Sequence, residues 1–354
     1  MATTRTGAST AREGQALTPD AAAGPPEDTQ APPAPPSSGR FRPRRSPYAG
    51  AVTTGLAVLL AAVVTAHDRV PDTPWHLGSL VETLLPWTAL AIPALTAAAL
   101  LRRSRVATVS LLLPVTVWLT VFGGTLTDKS SPGGDLTVVS HNVNQDNPDP
   151  EGTVRGLVAS GADVLALVEL GPATAPAYER ALAPAYPYHF YEGTVGLWST
   201  HPLRDAHSLP IMPWTRAMRA TVETPEGPLA AYVVHLPSVR VNSAGFTTGA
   251  RDEALRRLTA ELPAEDARPV VVMGDFNGVG GDRALRPLTR HFDEVQSTAG
   301  AGFGFTWPSR FPMVRIDQIF VKGAKATSAR TLPATASDHL PVAARLDLGP
   351  AAPA

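Results

Sequence analysis

Several apolar runs in this chain end on polar residues able to do chemistry. "VVVMGDFN" closes on Asp275 and Asn277, "DVLALVE" closes on Glu169, and "AAYVVHLPS" carries His235 at its end. Asn142 and Asn144 stand in "VVSHNVN", Asp317 in "VRIDQIFV", and Asp338 and His339 in "SDHLPVAARL", just ahead of the last apolar run. Each has an ordinary explanation. Asn at a strand end forms turns, Glu169 can cap a following helix, and His235 can be a satisfied polar contact. Asp317 is harder to dismiss, because an unpaired carboxylate in an apolar strand is costly; Arg315 stands two residues away as its candidate partner. "GDFN" and "SDHLP" are the most specific segments, since each sets an Asp beside a residue that can bind phosphate. Ligand sites in α/β sheets gather at strand ends, where rigid backbone fixes side chains on short loops.

The elements that must carry these residues alternate along the second half of the chain. Apolar runs predict strands at 136–143, 163–170, 187–191, 194–199, 205–211, 217–224, 229–236, 269–275, 316–322 and 341–347. Helices are expected at 152–161 and 172–183, and at 249–262, where Leu255, Leu258 and Leu262 share a face. This mixture is layered α/β, with sheets buried under helices. The chain has no cysteine, which excludes disulfides and thiolate metal sites. Residues 131–354 hold 23 acidic against 19 basic side chains, a balance that disfavours bulk attraction to nucleic acid.

The first third reads differently. Residues 1–47 are rich in Ala, Pro, Ser, Thr and Gly, cannot bury enough surface to offset chain entropy, and are expected to form a disordered cytoplasmic tail. Three uncharged apolar runs follow, at 49–66, 83–101 and 106–124, each near the roughly 20 residues that cross a bilayer core. A buried helical core, or a cleavable signal for the first run, is the competing explanation. Three runs in succession ahead of a soluble domain point to a three-span region over 48–125, a linker at 126–135, a domain at 136–348 and a tail at 349–354. Arg40, Arg42, Arg44 and Arg45 precede the first run, and Arg102, Arg103 and Arg105 lie between the second and third. Basic flanks stay in the cytoplasm, so the domain is expected outside it, on a multi-pass cell-membrane protein with a cytoplasmic N-terminus.

The ordered set "HNVN", "ALVEL", "VVHLPS", "GDFNG", "RIDQIFV" and "SDHLPV" resembles the endonuclease/exonuclease/phosphatase superfamily, over residues 136–347. The resemblance implies a four-layer α/β sandwich, two mixed sheets flanked by helices, here preceded by three transmembrane helices. It also implies Mg²⁺-dependent cleavage of phosphoesters, with Mn²⁺ as a substitute. Glu169 would be the main metal carboxylate, helped by Asn142 and Asp338. Asp275 would orient or deprotonate water, and Asn277 would hold the phosphate or the nucleophile. His339 would contact a phosphate oxygen, oriented by Asp317, and His235 would be a second phosphate-contacting or acid histidine. Asn144, Arg240 and Arg251 are the substrate-side candidates, the two arginines lying in an expected substrate loop at 238–257. The apolar, Gly-rich stretch 300–317 could edge an isoprenoid chain. By architecture the chain further resembles VanJ-type membrane proteins associated with teicoplanin resistance. That implies the bilayer and a phosphorylated partner, such as a polyprenyl pyrophosphate, rather than nucleic acid. An extracellular nuclease or phosphodiesterase, and a catalytically silent envelope-binding domain, are the alternatives. His141 departs from the family pattern, which often has an aromatic residue before the first Asn.

Overall fold

The computed structural model describes residues 48, 50–73, 75–243, 245–262 and 269–349. The expected disordered stretch 1–47, and all but the first residue of the closing tail, lie outside the described residues. Two sheets form the body. One takes β1 (Leu136–Asn142), β2 (Val164–Val168), β3 (Tyr188–Glu192) and β4 (Val195–Ser199) together with two late strands, β13 (Lys325–Thr331) and β14 (Val342–Asp347), in the order β13-β14-β1-β2-β4-β3. The other holds β5 (Leu203–Ser208), β6 (Ala217–Thr224), β7 (Gly227–His235), β10 (Val270–Asp275), β11 (Asp293–Glu294) and β12 (Asp317–Lys322), in the order β11-β12-β10-β7-β6-β5. A small hairpin, β8 (Arg240–Asn242) with β9 (Gly245–Thr247), stands apart. Both large sheets are mixed: β1 runs parallel to β2 and β10 parallel to β7, while the other pairs are antiparallel.

The pleat distributes the apolar residues. In β10, Val271 and Met273 point between the sheets with Val138, Ala166, Leu197 and Ile319, while Val270 and Val272 face outward with Leu255 and Leu258 of the Gly249–Glu261 helix. On the far side, Val139, Leu165 and Leu167 meet Leu157, Tyr178 and Leu182 of the Pro150–Ala159 and Ala175–Leu182 helices. The result is helices, sheet, sheet, helices, held by apolar burial on three interfaces. Sequence periodicity missed β13 and the β8–β9 hairpin. The first is "KATSART", in which polar and small residues hide the alternation.

Among the described residues, two helices are long and apolar enough to cross a membrane, Leu77–Leu101 and Arg105–Leu126. The expected first span is Ala51–Thr65, with 15 residues. At 1.5 Å per residue such a helix falls short of the roughly 30 Å hydrocarbon core, so the expectation of three full-length spans is corrected to two helices of sufficient length. Ala57 of the short helix meets Ala99 and Ala107 of the long ones, small residues allowing close approach, with Leu111 packed beside them. Ser46–Ala354 forms one compact unit. Within the segment read as the linker, 126–135, Ser131 N–H donates to Thr327 O (2.8 Å) and Asp135 N–H to Leu346 O (2.8 Å) of the first sheet.

Candidate active site

The pairing register assembles the second sheet's contribution. Asp275 stands opposite His235 on β7 and opposite Asp317 on β12, so three candidate residues sit side by side across three strands. Gly274 makes this possible. Its φ is +147°, and a Cβ there would come within 1.8 Å of Val234 O, so only glycine permits this approach of β10 to β7. The first sheet supplies Asn142, the last residue of β1, and Glu169, the first after β2. Asn144, Glu169 and Asn277 all have left-handed backbone, with φ of 60°, 64° and 47°. Asn tolerates this conformation; for Glu169 it costs about 1–2 kcal/mol, strain of the kind that concentrates at functional sites.

The two sheet ends meet at a cavity of about 490 Å³. Asn142, Glu169, His235, Arg240, Asp275, Asn277, Asp338 and His339 line it, eight of the eleven sequence candidates. Asn142 Nδ2 donates to Asp275 Oδ2 across the sheet–sheet gap at 3.0 Å. Asp275 also accepts from Asn277, through its backbone N–H (2.8 Å) and Nδ2 (3.2 Å). Burial, and then the charge of Asp317, push the Asp275 carboxyl up to about 7. His339 Nδ1 lies 2.8 Å from Asp317 Oδ2. Burial by itself lowers the affinity of this imidazole for a proton, but the charge and hydrogen bond of Asp317, joined by Asp275 and Asp338, outweigh it and raise the pKa to about 10. His339 is therefore an imidazolium at neutral pH, donating Nδ1–H to Asp317. Ser337 Oγ fixes its loop, accepting from His339 N–H (3.1 Å) and donating to Asn142 O (2.7 Å).

His235 differs. Its Nε2 lies 3.9 Å from Asp275 Oδ2 and 4.0 Å from Glu169 Oε2, beyond hydrogen-bond reach, and its buried Nδ1 has no partner among the described residues. Burial, followed by the charges of Arg216 and His339, holds its pKa well below 6.5. A neutral imidazole suits a phosphate-contacting role better than that of an acid.

Three candidates lie off the cavity wall. Asp317 is fully buried beneath it, and its partner is His339 rather than the expected Arg315, which pairs with Glu294 of the neighbouring strand β11. Asn144 donates through Nδ2 to Asp338 Oδ1 (3.0 Å), while Trp307 Nε1 donates to Asp338 Oδ2 (3.2 Å); Asn144 thus steadies a wall residue. The reading of Arg251 as a second phosphate contact is corrected. Only 1% of its side chain is exposed, it pairs with Asp282 (2.6 Å) and Asp252 (2.8 Å), and its Nη1 donates to Asn277 O (3.1 Å). Arg251 positions the loop carrying Asn277. His141 is buried and neutral, its pKa lowered by burial to about 3, with Nε2 at 2.9 Å from Thr335 Oγ1.

Sequence reasoning missed Arg216, Trp307 and Thr83, all on the cavity wall. Arg216 Nε donates to His235 O (2.9 Å), which aims a guanidinium across the pocket floor near Asp275 and Glu169. It sits just ahead of β6 in "PWTRAMRA", where nothing distinguishes it from a surface arginine.

The donor set fits a hard divalent cation. Glu169, Asp338 and Asn142 bring oxygen donors to one cavity, the chemistry Mg²⁺ selects. Asp275, Asp317 and His339 also offer three ligand atoms within 4.8 Å of one another, and Asp317 Oδ1 is buried without a partner. In that second cluster His339 is protonated and committed to Asp317, so the Glu169 side is the better cradle.

A layered fold with carboxylates, amides and an Asp-bound imidazolium at one sheet end defines a phosphoester-hydrolase class of site. The model of the Endonuclease/Exonuclease/phosphatase family matches residues 139–339, more than half of the chain, and the chain belongs to that family. Its members are hydrolases acting on phosphoester bonds, and they generally use divalent metal ions. The uncharacterized protein YbhP of Escherichia coli K12 is 32% identical over 127 residues, 34% of this chain and 49% of that protein. The chain thus spans about half the length of the curated relatives it matches. The endonuclease/exonuclease/phosphatase structure from Bacteroides vulgatus superposes with a TM-score of 0.53 at 18% identity, covering 61% of this chain and all of that one. A humanized TDP2 from D. rerio gives 0.50 at 20% identity, covering 60% and 98%. These two likenesses support the fold.

Proposed function

We propose that this chain is a membrane-tethered, Mg²⁺-dependent phosphohydrolase with an extracytoplasmic site, acting on a lipid-linked pyrophosphate of polyprenyl type, as in the VanJ-like proteins it resembles. The observation that carries the reading is the contact between the catalytic cavity and a helix able to span the membrane. Thr83 of Leu77–Leu101 forms part of the cavity wall. One residue earlier, Glu82 is buried against the domain and pairs with Arg283 (3.1 Å) and Arg286 (3.8 Å). The outer faces of the two long helices carry Leu90, Leu100, Leu101, Val106, Val109 and Leu112, each between 60 and 85% exposed, a surface suited to lipid. Orientation follows from Arg102, Arg103 and Arg105 between these helices: a cytoplasmic turn there leaves the following domain outside, whether or not Ala51–Thr65 crosses.

The chain's own groups divide the work. Asp275, with a pKa raised to about 7, is a base matched to neutral pH and takes a proton from the attacking water. Asn277 and Asn142 hold that carboxylate in place. His339, cationic and oriented by Asp317, donates to a phosphoryl oxygen as negative charge develops. Arg216 and Arg240 offer further positive charge to the phosphates. Glu169, Asn142 and Asp338 would hold a divalent cation, which would supply charge neutralisation and water activation there.

The test is phosphate release from a polyprenyl pyrophosphate beside a nicked-DNA assay, each with Mg²⁺ and with EDTA. Mg²⁺-dependent release from the lipid alone is the expected outcome. DNA cleavage instead would make the chain a nuclease, and inactivity in both a binding domain. A reporter fused after Ala354 and active only in the cytoplasm would overturn the orientation.

A further inference from the structure

A second cavity, of about 320 Å³, lies beside the catalytic one and shares two wall residues with it, Thr83 and Val279. Its apolar walls are Leu85 and Pro86 from one long helix, Val121 and Phe122 from the other, and Phe303 and Phe305 from the loop between the Val295–Ala299 helix and β12. The aromatic wall is braced from both helices. Phe303 and Phe305 stack at 5.1 Å, Phe122 lies 5.7 Å from Phe303, and Trp87 stacks on Phe305 at 5.6 Å. Backbone contacts fix the same loop: Gly302 N–H donates to Thr125 O (2.8 Å), and Trp87 Nε1 donates to Met313 O (2.8 Å). The charged residues on the wall are already matched, Glu82 with Arg283 and Arg315 with Glu294. The rest of the lining joins these apolar and aromatic side chains to His67, Thr83, Thr125 and Ser297.

We infer that this cavity holds the first hydrocarbon segment of an amphiphilic phosphoester whose phosphate end occupies the catalytic cavity. The inference rests on reading that catalytic cavity as a phosphohydrolase site. The shared wall makes the two cavities neighbours, so one ligand with a polar head and an apolar chain can fill both. The chain side is walled by the two helices able to span a membrane, so a longer chain passes from the cavity toward hydrocarbon without crossing water. A nucleic-acid base can stack on aromatic rings, whereas Leu85, Pro86 and Val121 on the remaining walls favour a hydrocarbon chain.

Equilibrium binding to the full chain in detergent, with Mg²⁺ present, tests this without turnover. The probes are isoprenyl methylene-bisphosphonates of fifteen and of five carbons. The parent is expected to bind the longer probe at least tenfold more tightly. Val121→Trp, which fills the cavity, should bring the ratio of the two affinities close to one, and Phe305→Ala, which removes a wall, should lower it in the same direction. Equal affinities in the parent, or an unchanged ratio in whichever of the variants folds, would overturn the chain site. Length preference retained by a protein that releases no phosphate would instead overturn the hydrolytic reading alone. The two failures are distinguishable.

Discussion

Two buried charge clusters in this molecule use the same residue types in opposite ways. At the seam between the Leu77–Leu101 helix and the domain, each buried acid faces a guanidinium. Glu82 accepts from the Arg283 backbone N–H (2.9 Å) and Nε (3.1 Å), and Asp282 pairs with Arg251 at 2.6 Å. At the candidate catalytic edge, Asp275 and Asp317 share the neighbourhood of one imidazolium, and Asp317 Oδ1 and His235 Nδ1 are buried without partners among the described residues. A matched pair holds parts together; an unmatched one stores proton affinity and electrostatic demand that a substrate or cation can meet. The clusters touch, because Arg251 also donates to Asn277 O, so the seam steadies the catalytic loop.

The contrast is broken most severely at its catalytic end. Asp275→Asn should lower turnover by about 10³-fold while the thermal midpoint holds or rises, since a desolvated charge is replaced by a neutral isostere. A midpoint that falls with activity intact would make Asp275 structural. His339→Gln should cost about 10²-fold in kcat, and the same loss from Asp317→Asn would show that the pair acts as one unit.

The seam should respond in the other currency. Glu82→Ala leaves Arg283 facing a buried void and should cost about 3 kcal/mol of stability, read as a lower unfolding midpoint in detergent, with kcat of the folded fraction within a few-fold of the parent. An unchanged midpoint would mean that this pair does not hold the helix.

Proton linkage sharpens the comparison further. The folded pKa of Asp275 lies above its ordinary 3.8, at about 7, and that of His339 lies above 6.5, at about 10. Groups raised in this way stabilise the fold while they retain their protons. That contribution is complete below the unfolded values and is lost as pH rises, through 7 for Asp275 and through 10 for His339. A divalent cation favours the deprotonated carboxylate, so Mg²⁺ should raise the thermal midpoint more at pH 8 than at pH 6. An equal or larger rise at pH 6 would remove Asp275 from the surroundings of the cation. The smallest effect is expected at the rim, where Arg240→Ala should raise KM by a few-fold and leave kcat alone, since Arg240 is exposed on β8 at the cavity wall.

Much of the catalytic edge was legible from residue order. Glu169, Asp275 and Asn277 announce themselves because an apolar run stops abruptly on a polar group, and a buried strand has few other reasons to end so. Misreadings came where the partner lies far along the chain. Arg251 read as a substrate-side arginine, but Asp282, some thirty residues later, closes on it, and nothing in the local sequence of Glu82 pointed to Arg283, some two hundred residues later. Arg216 gave no signal, because its role comes from the end of β7 beside it.

The sequence by itself determined the layered α/β class, the apolar segments ahead of it and the set of acids, amides and histidines at strand ends, since these depend on local periodicity and residue chemistry. Tertiary structure alone decided which acid meets which base, that His339 is cationic and His235 neutral, and that a helix long and apolar enough to cross a membrane forms part of the wall of the candidate cavity. Those outcomes depend on burial and on charges brought together across sheets, and neither is encoded in any one stretch of chain.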